Sequence, residues 1–247
     1  MFEGPRLKVK RGTQHIEDLH NALAKYFSTG GNVKVTVTKV EANACGIRAE
    51  AKHMPEELSL LLGDAIHNLR SALDLLAVEL VRAAGEEPSR GLYFPVSDTK
   101  EKLAKRMREK ETQLFGKRVC SLIEEEIKPY KEGHPLLWAL HQADIGDKHT
   151  GLVPTFSLTH LTLDIKDLNG NTFKDLTLGV AGGTALLPIV MGPGAQVSNL
   201  RNFVHHAFFP KDSSFGQVSL VPTLRQCANV VEAIINGVEF AHQAPQH

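Results

Sequence analysis

The stretch from Pro55 to Gly85 constrains the fold most, because its pattern is that of one long, largely apolar helix. Proline suits the first helical position, Glu56 and Glu57 suit the first turn, and glycine suits the residue after the end. A helix of about 29 residues is roughly 43 Å long. We expect it to be the spine of the fold. Its apolar face is formed by Leu58, Leu61, Leu62, Ala65, Leu69, Leu73, Leu76 and Leu80.

The other segments form helical and strand-like blocks. Residues 13–28 predict an amphipathic helix, residues 195–208 also fit a helix, and the alternation from Phe156 to Val190 predicts strands. Such segregated blocks favour one α+β domain over residues 1–247, with the long helix and helical partners packed on antiparallel sheet. Its expected parts are an N-terminal helix and hairpin (13–53), a helical region (55–149), a β-rich region (156–221) and a C-terminal helix (222–241).

Composition narrows the classes of partner. Lys and Arg together number 28, as do Asp and Glu, so the chain has no net field that would draw it onto nucleic acid or an anionic membrane. The three cysteines are far apart and form no CxxC, which argues against a disulfide framework or a cysteine zinc site. No apolar run approaches the ~20 residues that span a bilayer. We expect a cytoplasmic protein without a membrane partner and without a secretory signal.

Polar residues concentrate on two of the predicted helices. Asp64, His67, Asn68, Ser71 and Asp74 recur at spacings of three or four, so they share one strip of the long helix, with Arg70 beside it. Apolar residues flank this strip, which therefore needs a polar partner. The helix at 135–149 offers one, and packing of the two helices would form a binding cluster. The expected binding residues are His67, Asn68, Asp74, His141, Asp144 and Lys148.

Three interpretations of this cluster remain open. It can be a polar network that only fixes how the helices pack. It can be a metal site, because helical bundles hold carboxylate and histidine ligands, although the spacing matches neither HExxH nor Glu-x-x-His. It can also belong to an RNA-related site. The candidate metal ligands are His67, Asp74, His141, Asp144 and His149.

The stretches GDAIHNLRSALD, FPV and LWALHQADIGDKH resemble a widespread set of uncharacterised bacterial proteins. Those proteins share a G-D-x-x-H-N-L-R-S-A-L-D-H helix and a later helix ending in D-K-H-R. The motifs occur here in the same order over most of the chain. The resemblance indicates a family but implies no activity.

The helices also resemble the HEPN superfamily of RNases, toxins and defence proteins, which often act as dimers and carry an Arg followed four to six residues later by a His. Arg70 matches the Arg, but Leu75 stands where the family pattern has the His. A second match runs from Arg201 to His206. The resemblance implies that His206 acts as general acid or base on a ribose hydroxyl while Arg201, or Arg70, stabilises the phosphate. The basic residues 100–110 would contact RNA.

The sequence thus leaves several functions open. One is an RNA-associated protein in stress or phage defence; another is a metal-dependent or small-molecule-binding enzyme that uses the His/Asp cluster; a third is a non-catalytic interaction module. RNA, a small molecule and a second copy of the chain are the corresponding partners, and no cofactor is identified. GxSxG is absent, so a Ser–His–Asp hydrolase has no support from a nucleophile elbow.

Overall fold

The computed structural model describes residues 2–29, 32–41, 44–51, 55–150, 154–166, 169–179, 187–190 and 196–243, and within these ranges the side chains of some strand and helix-end residues are not described. The chain divides into two compact units, each built from separate segments. Unit 1 comprises residues 1–20, 56–153 and 209–247, and unit 2 comprises residues 21–55 and 154–208. The α+β class is confirmed, whereas the expectation of a single domain stays a prediction.

Unit 1 is helical. Its longest element confirms the expected spine, since α2 runs over Glu56–Ala83 and buries its apolar face. No helix within the described ranges is both long enough and apolar enough to cross a membrane. The helices of this unit are α1 (Glu3–Ser28, which continues into unit 2), α2, α3 (Lys100–Met107), α4 (Lys110–Gln113), α5 (Lys117–Ser121), a π-helix (Leu122–Ile127), α6 (Pro135–Thr150) and α7 (Leu220–Gln243).

Helix α1 begins ten residues earlier than expected, at Glu3 rather than Thr13. Gly12 was expected to precede the helix, but it lies inside it, where α1 passes close to α2. A Cβ added at Gly12 would lie 3.0 Å from Leu69 Cδ2, so the missing side chain permits this contact. Close approach to a neighbouring helix therefore offsets the poor helix propensity of glycine.

The charged segment after residue 99 forms two short helices, α3 and α4, and its apolar residues Leu103 and Met107 are buried. Thr99 caps α3 by accepting a hydrogen bond from the backbone N–H of Lys102. At α6, His134 Nδ1 accepts a bond from the N–H of Leu137, and Pro135 occupies the first helical position.

The described residues of unit 2 form two antiparallel three-stranded sheets. Their strands are β1 (Val33–Glu41), β2 (Ala44–Ala51), β3 (Thr155–Lys166), β4 (Thr172–Gly179), β5 (Leu187–Val190) and β6 (Gln196–Phe208). One sheet has the order β1-β2-β5 and includes the predicted hairpin, and the other has the order β4-β3-β6. An Asn-Gly turn lies between β3 and β4, where Gly170 has a φ of +83°.

The prediction of a helix over residues 195–208 is wrong for 196–208, because strand β6 occupies these positions and pairs with β3. That pairing has three register shifts, and each extra residue in a bulge breaks the two-residue alternation. The buried Asp164 supports this irregular region: it accepts hydrogen bonds from the Asn199 side chain at 2.8 Å and from the Asp175 backbone N–H at 3.0 Å. The broken alternation explains why the sequence looked helical.

Candidate functional site between α2 and α6

Two side-chain pairs join α2 to α6 in unit 1. His67 lies against Asp144, and Arg70, one turn further along α2, lies against His141, one turn earlier in α6. The residue numbers increase along α2 while those of their partners decrease along α6, so the two helices are antiparallel. The convergence predicted from the two polar strips is confirmed for these residues. The binding and catalytic roles assigned to them stay predictions.

Arg70 is the buried centre of this cluster, with only 2% of its surface exposed. Its Nε donates to His141 Nδ1 at 3.0 Å, one terminal nitrogen donates to Asp74 Oδ1 at 2.6 Å, and the other donates to the Phe94 carbonyl at 3.1 Å. The Phe94 N–H in turn donates to Asp74 at 3.0 Å. Arg70 thus fastens α2 to α6 and to the FPV segment, and its guanidinium does not reach the surface where a phosphate would bind.

His141 is held neutral by its surroundings. Burial lowers its pKa to about 4, and the positive charges of Arg70 and Arg106 act in the same direction, while Asp144 and Asp98 oppose them. Because Arg70 Nε donates to Nδ1, that ring nitrogen carries no proton. A neutral imidazole that accepts from a buried arginine serves as a structural acceptor here.

Asp74 shows the same competition between burial and charge. Burial raises its pKa, and the adjacent Arg70 guanidinium together with the Phe94 N–H opposes that rise. The 2.6 Å contact with Arg70 is the distance of a charge-assisted hydrogen bond, so we regard Asp74 as the ionised partner of Arg70.

His67 differs from the other members because about half of its side chain, 52%, is exposed. Its Nδ1 lies 2.9 Å from Oδ1 of Asp144, whose residue is only 7% exposed. A carboxylate can only accept, so in the neutral imidazole Nδ1 carries the proton and Nε2 is the acceptor. The hydroxyl of Ser71 lies 3.3 Å from Nε2. The side chains therefore follow one another in space as a buried carboxylate (Asp144), an oriented imidazole (His67) and a hydroxyl (Ser71). They do so without a nucleophile elbow.

The remaining predicted binding residues lie elsewhere or outside the described side chains. Asn68 faces α1, since its amide donates to the Asp64 carbonyl at 2.8 Å and its oxygen accepts from Lys8 Nζ at 3.3 Å. The side chains of Lys148 and His149 are not among those described. Asn68 is thus part of the α1–α2 contact and not of the His67 cluster.

Arg201 and His206 lie on strand β6 and not on the helix that suggested their pairing. Arg201 is opposite Thr162 and the exposed His206 is opposite Ser157. Five residues of strand extend about 16 Å, against about 8 Å in a helix. Their role in RNA cleavage stays a prediction, although the helical signature from which it came is not formed.

The proposed metal ligands do not form a set among the described side chains. No group of three or more His, Cys, Asp or Glu in that part of the chain could hold a metal ion. Arg70 separates the candidates, since it occupies both His141 Nδ1 and Asp74 Oδ1. His149 lies outside the described side chains, so its contribution stays a prediction.

Two participants were missed in the sequence. Ser71 belongs to the polar strip but was given no role, although its position four residues after His67 places both side chains on one face. The Phe94 backbone, which bonds to both Arg70 and Asp74, carries no side-chain signal that could have indicated its part.

A comparison with protein-family models, curated proteins and solved structures finds no match to this chain.

Proposed function

We propose that unit 1 carries an acid–base hydrolytic site in which His67 is the general base and Asp144 is its positioning residue. The observation that carries this proposal is the half-exposed imidazole anchored at Nδ1 by a buried carboxylate at 2.9 Å. This arrangement fixes both the tautomer and the ring orientation of the neutral imidazole, and it leaves Nε2 as the nitrogen that can accept a proton. Of the functions that the sequence leaves open, this proposal corresponds to the enzyme that binds a small molecule and uses the His/Asp cluster.

The rest of the cluster supplies the rigidity that such a base requires. Arg70 and His141 join the same two helices one turn away, and Arg70 itself is buried. A catalytic group is effective only when its surroundings lock its geometry. Arg70 therefore supports the site by holding α2 and α6 in register, and His67 faces the solvent.

The test is hydrolysis of p-nitrophenyl butyrate by the wild-type chain and by the His67→Ala variant. The matched control is His20→Ala, since His20 is another exposed helical histidine and reports the background catalysis of any surface imidazole. We expect the rate to fall about 100-fold or more in His67→Ala, the usual contribution of a general base, and to be unchanged in His20→Ala. Equal rates in all three proteins would overturn the proposal.

The same assay separates the other classes. Activity that EDTA abolishes and Zn²⁺ restores would favour the metal-dependent enzyme. Hydrolysis that neither variant changes would leave a packing network or an interaction module. Each of these outcomes contradicts His67 as an unassisted general base.

An RNA-associated function is the second proposal. It is favoured by the same oriented imidazole, because a His general base acting on a ribose 2′-hydroxyl is the chemistry implied by the HEPN resemblance. Cleavage of a single-stranded RNA by the wild type, His67→Ala and His206→Ala tests it. Loss in His67→Ala alone would place RNA cleavage at the α2–α6 site, and loss in His206→Ala alone would place it on β6.

We also propose that the protein works in a reducing compartment such as the cytoplasm. Cys120 and Cys227 are both buried and free, and burial raises the pKa of the Cys227 thiol to about 12. These thiols are therefore inert core residues and not redox groups.

A further inference from the structure

Ser71 lies one helical turn after His67 on α2, and its Oγ is 3.3 Å from Nε2, the ring nitrogen that Asp144 does not hold. Residues four apart share one face of a helix. The three side chains therefore form a continuous chain from a partly exposed hydroxyl, through an imidazole, to a buried carboxylate. This is the order of groups that activates a serine nucleophile.

We propose that Ser71 is the nucleophile of this site and that its substrates are small carboxylic esters with an apolar acyl group. The proposal rests on the proposed function, because Ser71 is activated only if His67 is the general base. Ser71 Oγ bonds to the ester carbonyl carbon while its proton moves to His67 Nε2. The C–O bond to the alcohol then breaks, and the alcohol leaves with that proton.

Water completes the cycle. Its oxygen bonds to the acyl carbon while its proton passes to His67 Nε2. The bond between that carbon and Ser71 Oγ then breaks, and Oγ takes the proton back. The products are a carboxylic acid and the original serine, so water is the only co-reactant. Asp144 stabilises the imidazolium at both stages through its bond to Nδ1.

The apolar acyl group is indicated by an exposed aliphatic side chain beside the site. Ile145, 42% exposed, directly follows Asp144 on α6. A short acyl chain in contact with Ile145 would remove apolar surface from water.

Ser71 lies in the middle of α2, where backbone N–H groups are already used in helix hydrogen bonds. The backbone of this turn therefore offers no oxyanion hole. We expect the rate gain of an activated nucleophile and base, on the order of 100- to 10,000-fold, without the further gain of such donors.

The experiment combines p-nitrophenyl butyrate hydrolysis with mass spectrometry after treatment with a fluorophosphonate, which modifies activated serines. The variants are Ser71→Ala, His67→Ala and the control Ser59→Ala, since Ser59 lies on the same helix without a histidine four residues before it. We expect the phosphonyl group on the peptide that contains Ser71. It should be lost in Ser71→Ala, weakened about 100-fold in His67→Ala and retained in Ser59→Ala, with hydrolysis following the same order.

Two other results would overturn the inference in different ways. If His67→Ala loses hydrolysis while Ser71→Ala keeps it and no serine is labelled, His67 activates water directly, so the proposed function stands and the nucleophile is wrong. If His67→Ala hydrolyses the ester as fast as the wild type, the proposed function fails and the role of Ser71 fails with it.

Discussion

His67 and Asp144 are 77 residues apart in sequence, yet their Nδ1 and Oδ1 atoms lie 2.9 Å apart across the contact between α2 and α6. The imidazole is half exposed and the carboxylate is buried. The pair therefore joins the interior of the helical unit to its surface. Its geometry depends on the register of the two helices, which Arg70 and His141 fix one turn away.

Replacing Asp144 by Asn should lower kcat for ester hydrolysis by about 10- to 1000-fold and leave KM nearly unchanged. The amide keeps the size of the side chain but can donate to Nδ1, which favours the wrong tautomer of His67. Steady-state kinetics with p-nitrophenyl butyrate measures this split. Asp64→Asn removes a similar charge from the exposed face of α2 and serves as the control. A rise in KM at constant kcat would show that Asp144 binds substrate and does not position His67.

Replacing Arg70 by Met should destabilise the protein by about 3–5 kcal/mol, because it leaves the carboxylate of Asp74 without its buried cation. The free energy of unfolding in urea measures the effect. The control is Arg225→Met, since Arg225 pairs with Glu17 on the surface, where both side chains are more than 40% exposed. We expect at most about 1 kcal/mol there. An equal loss of unfolding free energy in the two variants would show that the buried Arg70 pair stabilises the protein no more than a surface ion pair does.

The neutral state of His141 predicts a dependence of stability on pH. Its pKa falls from 6.5 in the unfolded chain to about 4 in the folded one, so below pH 6.5 the unfolded chain takes up a proton that the folded protein refuses. The contribution of neutral His141 to the free energy of unfolding is therefore complete above pH 6.5 and is lost as the pH falls towards 4. It corresponds to about 3 kcal/mol at full burial, and partial solvent exposure reduces our expectation to about 2 kcal/mol.

Urea unfolding between pH 7 and pH 4 tests this dependence against a His141→Gln variant. The glutamine oxygen can still accept from Arg70 but does not titrate. We expect the stability of the variant to fall less steeply over this pH range. Parallel curves for the two proteins would show that His141 is not the group responsible.

Substitutions at two helical glycines should change the stability of the protein in opposite directions. A Cβ at Gly12 would crowd Leu69 at 3.0 Å, so Gly12→Val should cost about 1–3 kcal/mol through overpacking. A Cβ at Gly146 of α6 meets nothing within 4 Å, so Gly146→Ala should stabilise the protein by up to about 1 kcal/mol. Thermal unfolding of both variants measures the difference. A stabilised Gly12→Val protein would contradict the close α1–α2 contact.

The long helix, the first hairpin and the C-terminal helix could be predicted from sequence, because each has a regular apolar period and clear end signals. The start of α1 could not, since Gly12 looks like a helix boundary and only its contact with Leu69 explains it. Strand β6 was mistaken for a helix, because the bulges held around Asp164 remove the alternation on which strand prediction depends.

The site could be predicted in part. Helical spacing indicated that the polar residues of the two helices would converge, and the structure pairs His67 with Asp144. It did not show that Arg70 would be buried, since burial depends on how far the helices overlap. Nor could it single out Ser71, because a serine in the middle of a helix usually bonds to the backbone or to solvent, and its significance depends on the orientation of His67.

The most direct test of the central claim, that His67 is an oriented general base, is long-range ¹H–¹⁵N correlation NMR on ¹⁵N-histidine-labelled protein in mildly alkaline solution. His67→Ala assigns the resonance, and Asp144→Asn reports the effect of the carboxylate. We expect His67 to carry its proton on Nδ1 in the wild type and to lose this preference in Asp144→Asn. A wild-type proton on Nε2 would show that His67 is not the base, because that nitrogen could not then accept the proton of Ser71.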